Sequence, residues 1–329
     1  MQLLQNRSLV FIALLLLAIS ISAAQWYQAL HEPLNASTTI EVARGDHLGD
    51  IRIKLKEQAI TEHADLFYWY VRLSGISRQL HAGEYQVSPK SNLIELAEKM
   101  VRGDVIDYQI TIVEGSTTQD FIAAVKAHPM IKQTDVNYHS IMQTITGEDI
   151  HPEGQFFPDT YHFTKGTSDI ELLKRAYSRM QEKLKQAWST RADDIILKSL
   201  YEVLTLASII EKETGQVFER GQISGVFHRR LKKDMKLQTD PTVIYGMGEA
   251  FKDNIRRKDL RTPTPYNTYA HKGLPPSPIC LPGYGSLLAA VNPEQGDTLY
   301  FVAKGNGEHA FSATLEEHNK AVRKYQLKK

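Results

Sequence analysis

Thr39-Ile40-Glu41-Val42-Ala43-Arg44-Gly45-Asp46 alternates side-chain character and then breaks at a glycine. The alternation has the two-residue period of a half-buried strand, and Gly45-Asp46 supplies a turn from which a helix can start. Leu48, Ile51, Ile53 and Leu55 follow as the apolar side of an amphipathic stretch. The pattern returns at residues 85–92 (YQVSPKSN), followed by Leu93, Ile94, Leu96, Ala97 and Met100. It returns again at residues 110–116 (ITIVEGS), followed by Phe121, Ile122, Ala124 and Val125. Between the first two units, residues 62–73 read as a further amphipathic helix carrying Leu66, Phe67, Tyr70 and Val71. The spacing is too irregular for a solenoid. Short strands interleaved with short helices imply an α+β chain.

Working outward toward the N-terminus, residues 8–24 read SLVFIALLLLAISISAA, 17 residues without a charge, with Arg7 just before them. About 20 apolar residues span a bilayer, with roughly 17 the lower limit. Gln25 and the interfacial aromatics Trp26 and Tyr27 extend the run to a plausible span. Ser22-Ala23-Ala24 also forms a small-x-small site, so a cleaved signal peptide is the rival reading and an uncleaved anchor the favoured one. Both send the rest of the chain out of the cytoplasm, because positive charge stays inside. No cysteine follows the run, which excludes a lipoprotein. The single cysteine, Cys280, lies in an apolar, proline-rich run and reads as a small core residue.

Working toward the C-terminus, residues 170–188, 192–214 and 217–231 carry helical periodicity. Eight of the 13 prolines then fall between residues 240 and 298, a density of turns that reads as ordered functional loops. Residues 299–303 and 309–312 read as a hairpin around Gly305-Asn306-Gly307, and residues 315–325 as a closing helix.

The 329 residues carry 39 Lys and Arg against 38 Asp and Glu, a net charge of +1. That balance argues against nucleic acid as a partner. One cysteine forms no intramolecular disulfide or Cys-based zinc site, and the 12 histidines show no His-x-x-x-His pair with a nearby Glu. No metal or cofactor is expected. No Gly-x-Ser-x-Gly elbow or phosphate loop is present.

The chemistry concentrates in Leu206-Ala207-Ser208-Ile209-Ile210-Glu211-Lys212-Glu213-Thr214-Gly215. Two carboxylates end a largely apolar helix, but Glu211 and Glu213 lie roughly 160° apart around its axis. They cannot both face one substrate, so a two-carboxylate site built from this pair is disfavoured. A single carboxyl beside apolar surface can still hold its proton and act as a general acid. Geometry alone equally allows a solvated helix end.

The same stretch resembles the lytic transglycosylase helix, in which an apolar pair precedes a catalytic Glu and a small hydroxyl residue. In that register Glu213 matches the catalytic Glu and Thr214 the hydroxyl residue. Residues 153–161 (EGQFFPDTY), 237–246 (LQTDPTVIYG), 266–269 (YNTY) and 273–279 (GLPPSPI) resemble the endolytic murein transglycosylase family, YceG-like, in the family's order. The first strand–turn–helix unit, with Arg44-Gly45-Asp46-His47-Leu48, is similar to the carbohydrate-binding LysM module. The resemblance implies a cytoplasmic stub and transmembrane anchor over 1–27, a linker over 28–37 and a LysM-like region over 38–105. A second strand–helix region over 106–164 then leads into a mixed helical and β catalytic domain over 165–329. It implies non-hydrolytic cleavage of the MurNAc–GlcNAc β-1,4 bond of peptidoglycan, giving 1,6-anhydro ends. Glu213 would be the acid, and Gln238, Asp240, Tyr245, Asn267, Tyr269 and Glu153 the substrate-binding candidates, each with loop structure as its alternative. Amides suit N-acetyl groups, which favours Gln238 and Asn267. The implied location is the inner membrane, single-pass, with the catalytic domain on the periplasmic side, near peptidoglycan synthases (penicillin-binding proteins). The competing reading is a non-catalytic, membrane-anchored peptidoglycan-binding protein.

Overall fold

The structure is a computed structural model that describes residues 2–327, with side chains from residue 10 onward. The chain forms two compact units: residues up to Tyr108 together with His162–Gly166, and Gln109–Tyr161 together with the chain from Thr167 on.

The first unit begins with helix α1 (Gln2–Leu30). Its segment Val10–Leu30 is 21 residues long and apolar enough to cross a membrane. At 1.5 Å per residue it rises about 31 Å, close to the ~30 Å of a hydrocarbon core. The linker expected over 28–37 is not free chain at its start. The helix continues through Leu30, and Leu30 and Leu34 are buried in the core of this unit, with Trp26 packed against it. Strand β1 (Thr38–Val42), helices α2 (Leu48–Glu57) and α3 (Ala64–Leu73), strand β2 (Gly83–Val87) and helix α4 (Leu93–Arg102) follow. β1 and β2 pair antiparallel, with Ile40 opposite Tyr85. Ile40, Leu55, Phe67, Val71, Tyr85, Leu96 and Met100 are all fully buried together. Two of the strand–turn–helix repeats read from sequence thus share one sheet and one core, because a two-stranded ribbon alone buries too little to be stable.

Local chemistry sets these boundaries. Gly45 takes φ +99°, and Asp46 closes the turn by accepting the Ala43 N–H at 2.8 Å. Asn92 caps α4 by accepting the Glu95 N–H at 2.9 Å, and Gly103 ends it in the left-handed conformation.

Strand β3 (Tyr108–Thr111) pairs with β4 (Thr160–Phe163), and the chain passes from one unit to the other along these strands. Between them lie α5 (Thr118–Ala127) and α6 (Ile141–Thr146). The second unit continues with α7 (Asp169–Ser189), α8 (Leu200–Glu213), α9 (Arg220–Lys232), α10 (Asp240–Met247) and α11 (Tyr284–Val291). It ends with the hairpin β5 (Tyr300–Ala303) and β6 (His309–Ser312), followed by α12 (Leu315–Tyr325). α8 is the central element: every residue from Val203 to Ile210 is buried, and it packs against α7, α9, α10 and α11. It is shorter than the periodicity of 192–214 suggests, because the Ser199 side chain caps it by accepting the Glu202 N–H at 3.2 Å. α10 and α11 lie in the proline-rich stretch expected to be loop. Pro241 sits in the first turn of α10, where a missing N–H costs nothing. Cys280 is fully buried with a free thiol.

Phe227 on α9 is fully buried, its ring edge-on to Phe301 at 5.8 Å. Phe227→Ala is expected to lower unfolding free energy by about 3–5 kcal/mol, measured by urea denaturation. A loss below 1 kcal/mol would show that α9 and the hairpin do not share one rigid core.

Candidate active site

The site is built from the C-terminal end of α8. Ser208 Oγ donates to the Thr205 carbonyl at 2.7 Å and accepts the Ile279 N–H at 2.9 Å. One turn on, Glu211 is buried and ion-paired with Arg220 at 3.1 Å, and its second oxygen accepts the Gly283 N–H at 2.9 Å. Glu114 approaches the same guanidinium at 3.6 Å. Cβ atoms at Gly283 and Gly285 would collide with Glu114 and Arg220 respectively, so glycine is what lets the chain pass this close. Glu211 is therefore a structural carboxylate that fastens α8 to α9 and to the start of α11.

Glu213, on the other side of the axis, is half-buried, and the Thr239 hydroxyl donates to its Oε1. Desolvation pushes its carboxyl up to about 7. The Thr239 bond opposes that rise, the nearby Asp240 charge adds to it and Arg230 opposes it. A carboxyl at a helix C-terminus also faces the negative end of the dipole. Glu213 therefore keeps a substantial fraction of its proton near neutral pH.

Thr239 is presented by a strained turn. Gln238 takes φ +53°, a left-handed conformation unusual for a residue other than glycine. The turn is held by the Arg230 Nη1, which donates to the Lys236 carbonyl at 3.1 Å, the Leu237 carbonyl at 2.9 Å and Gln238 Oε1 at 3.2 Å. Arg230 Nε donates to the Leu299 carbonyl at 2.7 Å. From the other side, the Gln238 N–H donates to the Thr268 carbonyl and the Thr239 N–H to Thr268 Oγ1.

Two concavities flank this turn. One, about 560 Å³, is lined by Tyr138, His151, Glu153, Lys212, Tyr245 and Tyr266, among others, and reaches Pro241. The other, about 340 Å³, is lined by Arg230, Gln238, Tyr269, Tyr300, His318 and Asn319, among others. Thr239 and Asp240 lie in sequence between Gln238 of the smaller pocket and Pro241 of the larger. Glu213 follows Lys212 of the larger pocket directly.

The sequence-selected residues sort accordingly. Gln238 and Tyr269 line the smaller pocket, and the Tyr269 hydroxyl donates to Asp240 at 2.6 Å. Tyr245 and Glu153 line the larger, where the Tyr245 hydroxyl donates to Glu153 at 3.2 Å. Glu153 is buried and also accepts the Thr118 N–H at 2.9 Å; burial raises its proton affinity. Burial lifts the Tyr138 phenol to about 12, so this wall offers a hydroxyl donor rather than a phenolate. Asn267 does not face either pocket's contents. It is fully buried, its Nδ2 donates to the carbonyls of Asp259, Leu260 and Thr262, and its Oδ1 accepts the Tyr269 and Ala270 N–H groups. Its amide organises the loop and has nothing left for an N-acetyl group. Sequence reasoning passed over Thr239, which carries no pattern of its own, and Arg230. Arg230 was legible: it falls three and four residues after Phe227 and Val226, on the buried face of α9.

A sequence model of the YceG-like family matches residues 40–324. The chain is 34% identical over 321 residues to an endolytic murein transglycosylase of Bacillus subtilis, covering 91% of this chain and 88% of the relative. It is 26% identical to an endolytic murein transglycosylase of Streptococcus pneumoniae, covering 88% of this chain and 59% of that relative. A crystal structure of a yceG-like protein from Listeria monocytogenes superposes with a TM-score of 0.53 at 32% identity, over 87% of this chain and 99% of that one.

Because the fold raises the Glu213 carboxyl to about 7 while the unfolded chain ionises near 4.5, the native state loses stability as pH rises between those values. Glu213→Gln is expected to remove that loss. It should unfold at higher denaturant than wild type at pH 8–9, by on the order of 1–3 kcal/mol, and match it near pH 4. A difference independent of pH would mean that the carboxyl is not desolvated.

Proposed function

We propose that this chain, which belongs to the YceG-like family, is a lytic transglycosylase that cleaves the β-1,4 bond between MurNAc and GlcNAc within peptidoglycan glycan strands. The observation that carries the reading is the pairing of one proton-retaining carboxyl, Glu213, with a second carboxyl of the same helix, Glu211, that is locked in an ion pair. The reaction needs one acid–base group and no water. Neutral Glu213 donates its proton to the glycosidic oxygen as the bond to the muramoyl anomeric carbon breaks. The resulting carboxylate takes the proton of the muramoyl 6-hydroxyl as that oxygen bonds to the same carbon. The products are a free GlcNAc hydroxyl and a 1,6-anhydro end, and Glu213 returns to its starting state. Two concavities, one lined by Gln238 and the other by Pro241 and Lys212, offer room for more than one sugar of a strand near Glu213, which supports cleavage inside a strand.

In this reading Gln238, Asp240, Tyr245, Tyr269 and Glu153 shape the substrate path, and Asn267 supports it from behind. The β1–α2–α3–β2 ribbon of the first unit is a LysM-like glycan-holding element. α1 is a single-pass anchor in the cytoplasmic membrane with the remainder of the chain on the outer side, beside the synthases that extrude new strands.

Glu213→Gln is expected to cut release of anhydro-ended muropeptides on the order of 10²–10⁴-fold while sedimentation with peptidoglycan is retained. For wild type, kcat/KM should be flat below pH 6 and fall as pH rises through about 7, where Glu213 loses its proton. Undiminished anhydro products from the variant would exclude Glu213 as the acid and leave the glycan-binding role alone.

A further inference from the structure

The smaller pocket has an unusual base. Arg230 is 7% exposed, yet it forms no ion pair among the described residues; its Nε and Nη1 donate to three carbonyls and one side-chain amide, and no hydrogen bond is recorded for its Nη2. Beyond these bonds it meets the Tyr300 ring, 5.1 Å from the guanidinium carbon, and the more distant charge of Glu213, with which it makes no ion pair. Buried cations are ordinarily paired, because desolvating a charge without an opposite charge is costly. Arg220, on the first turn of the same helix, follows that rule with Glu211. The residues that line the pocket around Arg230 include no carboxylate. Among the described residues, the Tyr300 hydroxyl makes no hydrogen bond, and the buried Nδ1 of His318, whose ring stacks on Tyr300 at 5.2 Å, has no partner. Asp240, two residues after Gln238, is engaged by the Tyr269 hydroxyl.

We propose that this pocket binds a carboxylate carried by the substrate, with Arg230 Nη2 as its principal donor. The inference rests on the proposed activity and deepens it, by naming a charged feature of the strand that positions the bond against Glu213. A guanidinium that offers one remaining nitrogen suits a monoanion held by a charge-assisted hydrogen bond. At about 340 Å³ the cavity is at the small end of ligand sites, sized for one sugar with its acyl substituent. Peptidoglycan offers such a carboxylate from two sources: the lactyl group of muramoyl units without a peptide, and the stem peptide where one is attached. A polymer of GlcNAc alone offers none.

The test uses the full-length wild-type chain and four substrates. These are peptide-bearing strands, strands stripped of peptide by an amidase, and each of the two after carbodiimide coupling with methylamine, which makes every carboxylate a neutral amide. The readout is kcat and KM for anhydro-ended product. Neutralisation is expected to raise KM about tenfold or more in at least one pair, with kcat changed less than threefold; the pair that responds identifies the carboxylate. Unchanged KM in both pairs would overturn the proposal while leaving the activity standing. Absence of anhydro products from both untreated strands would overturn the activity and the carboxylate site with it. Because Arg230 also holds the 236–238 turn, Arg230→Lys and Arg230→Met are compared only as soluble, cooperatively unfolding proteins. The lysine variant should keep the preference for charged over neutralised strands, and the methionine variant should lose it.

Discussion

The ion pair between Glu211 and Arg220 is the constraint on which the second unit depends. Two charges are taken out of water there, and the geometry compensates: one carboxylate oxygen faces the guanidinium, the other a backbone N–H at Gly283. Removing one partner of such a pair typically costs about 3–5 kcal/mol, because the survivor is left uncompensated. What the pair fixes is a junction. It joins the end of α8, the first turn of α9 and the entry to α11, and the segment between Ile279 and Gly283 is pinned to α8 by Ser208 and Glu211 and to residues 115–116 by two backbone bonds at Leu281. The absence of side chains at Gly283 and Gly285 is part of the same device.

The junction also divides labour between two acids that sequence spacing sets two residues apart. Glu211 is tied by an opposite charge and a peptide N–H. Glu213, a fraction of a turn further on, has no ion pair; a hydroxyl and desolvation dominate its surroundings, and its proton affinity rises. Similar side chains on one helix end thus acquire different partners from their neighbours, one fastened in an ion pair and one left without, which suits a one-acid mechanism.

Much of this was legible because it rests on period and spacing. The alternation around Ile40 and Tyr85, the long stripe of α7 and the closing helix α12 are periodic over enough residues to declare themselves, and the angular separation of Glu211 and Glu213 follows from helix geometry. What was hidden depends on contacts distant in sequence. α10 and α11 have eight residues each, too few for a helical period to rise above the surrounding prolines and glycines. The early start expected for α8 ignored Ser199, whose cap outweighs the apolar residues before it. Asn267 looked like a sugar ligand by chemistry, but five bonds to its own loop decide its place. Thr239 has no pattern at all; it matters because Arg230, nine residues earlier, bends the turn that carries it.

α1 enters the first unit without a joint. The helix runs unbroken to Leu30, which is buried with Leu34 in the same core as Phe67 and Met100, and Trp26 packs alongside. A spanning helix whose apolar length differs from the local bilayer answers by tilting. In the proposed role of anchor, α1 has no swivel at Leu30 to absorb that tilt, so the β1–β2 ribbon and its helices would lean with it. With α1 as that anchor, the thickness of the lipid would become an angle, and the attitude of the first unit would be set in part from inside the membrane.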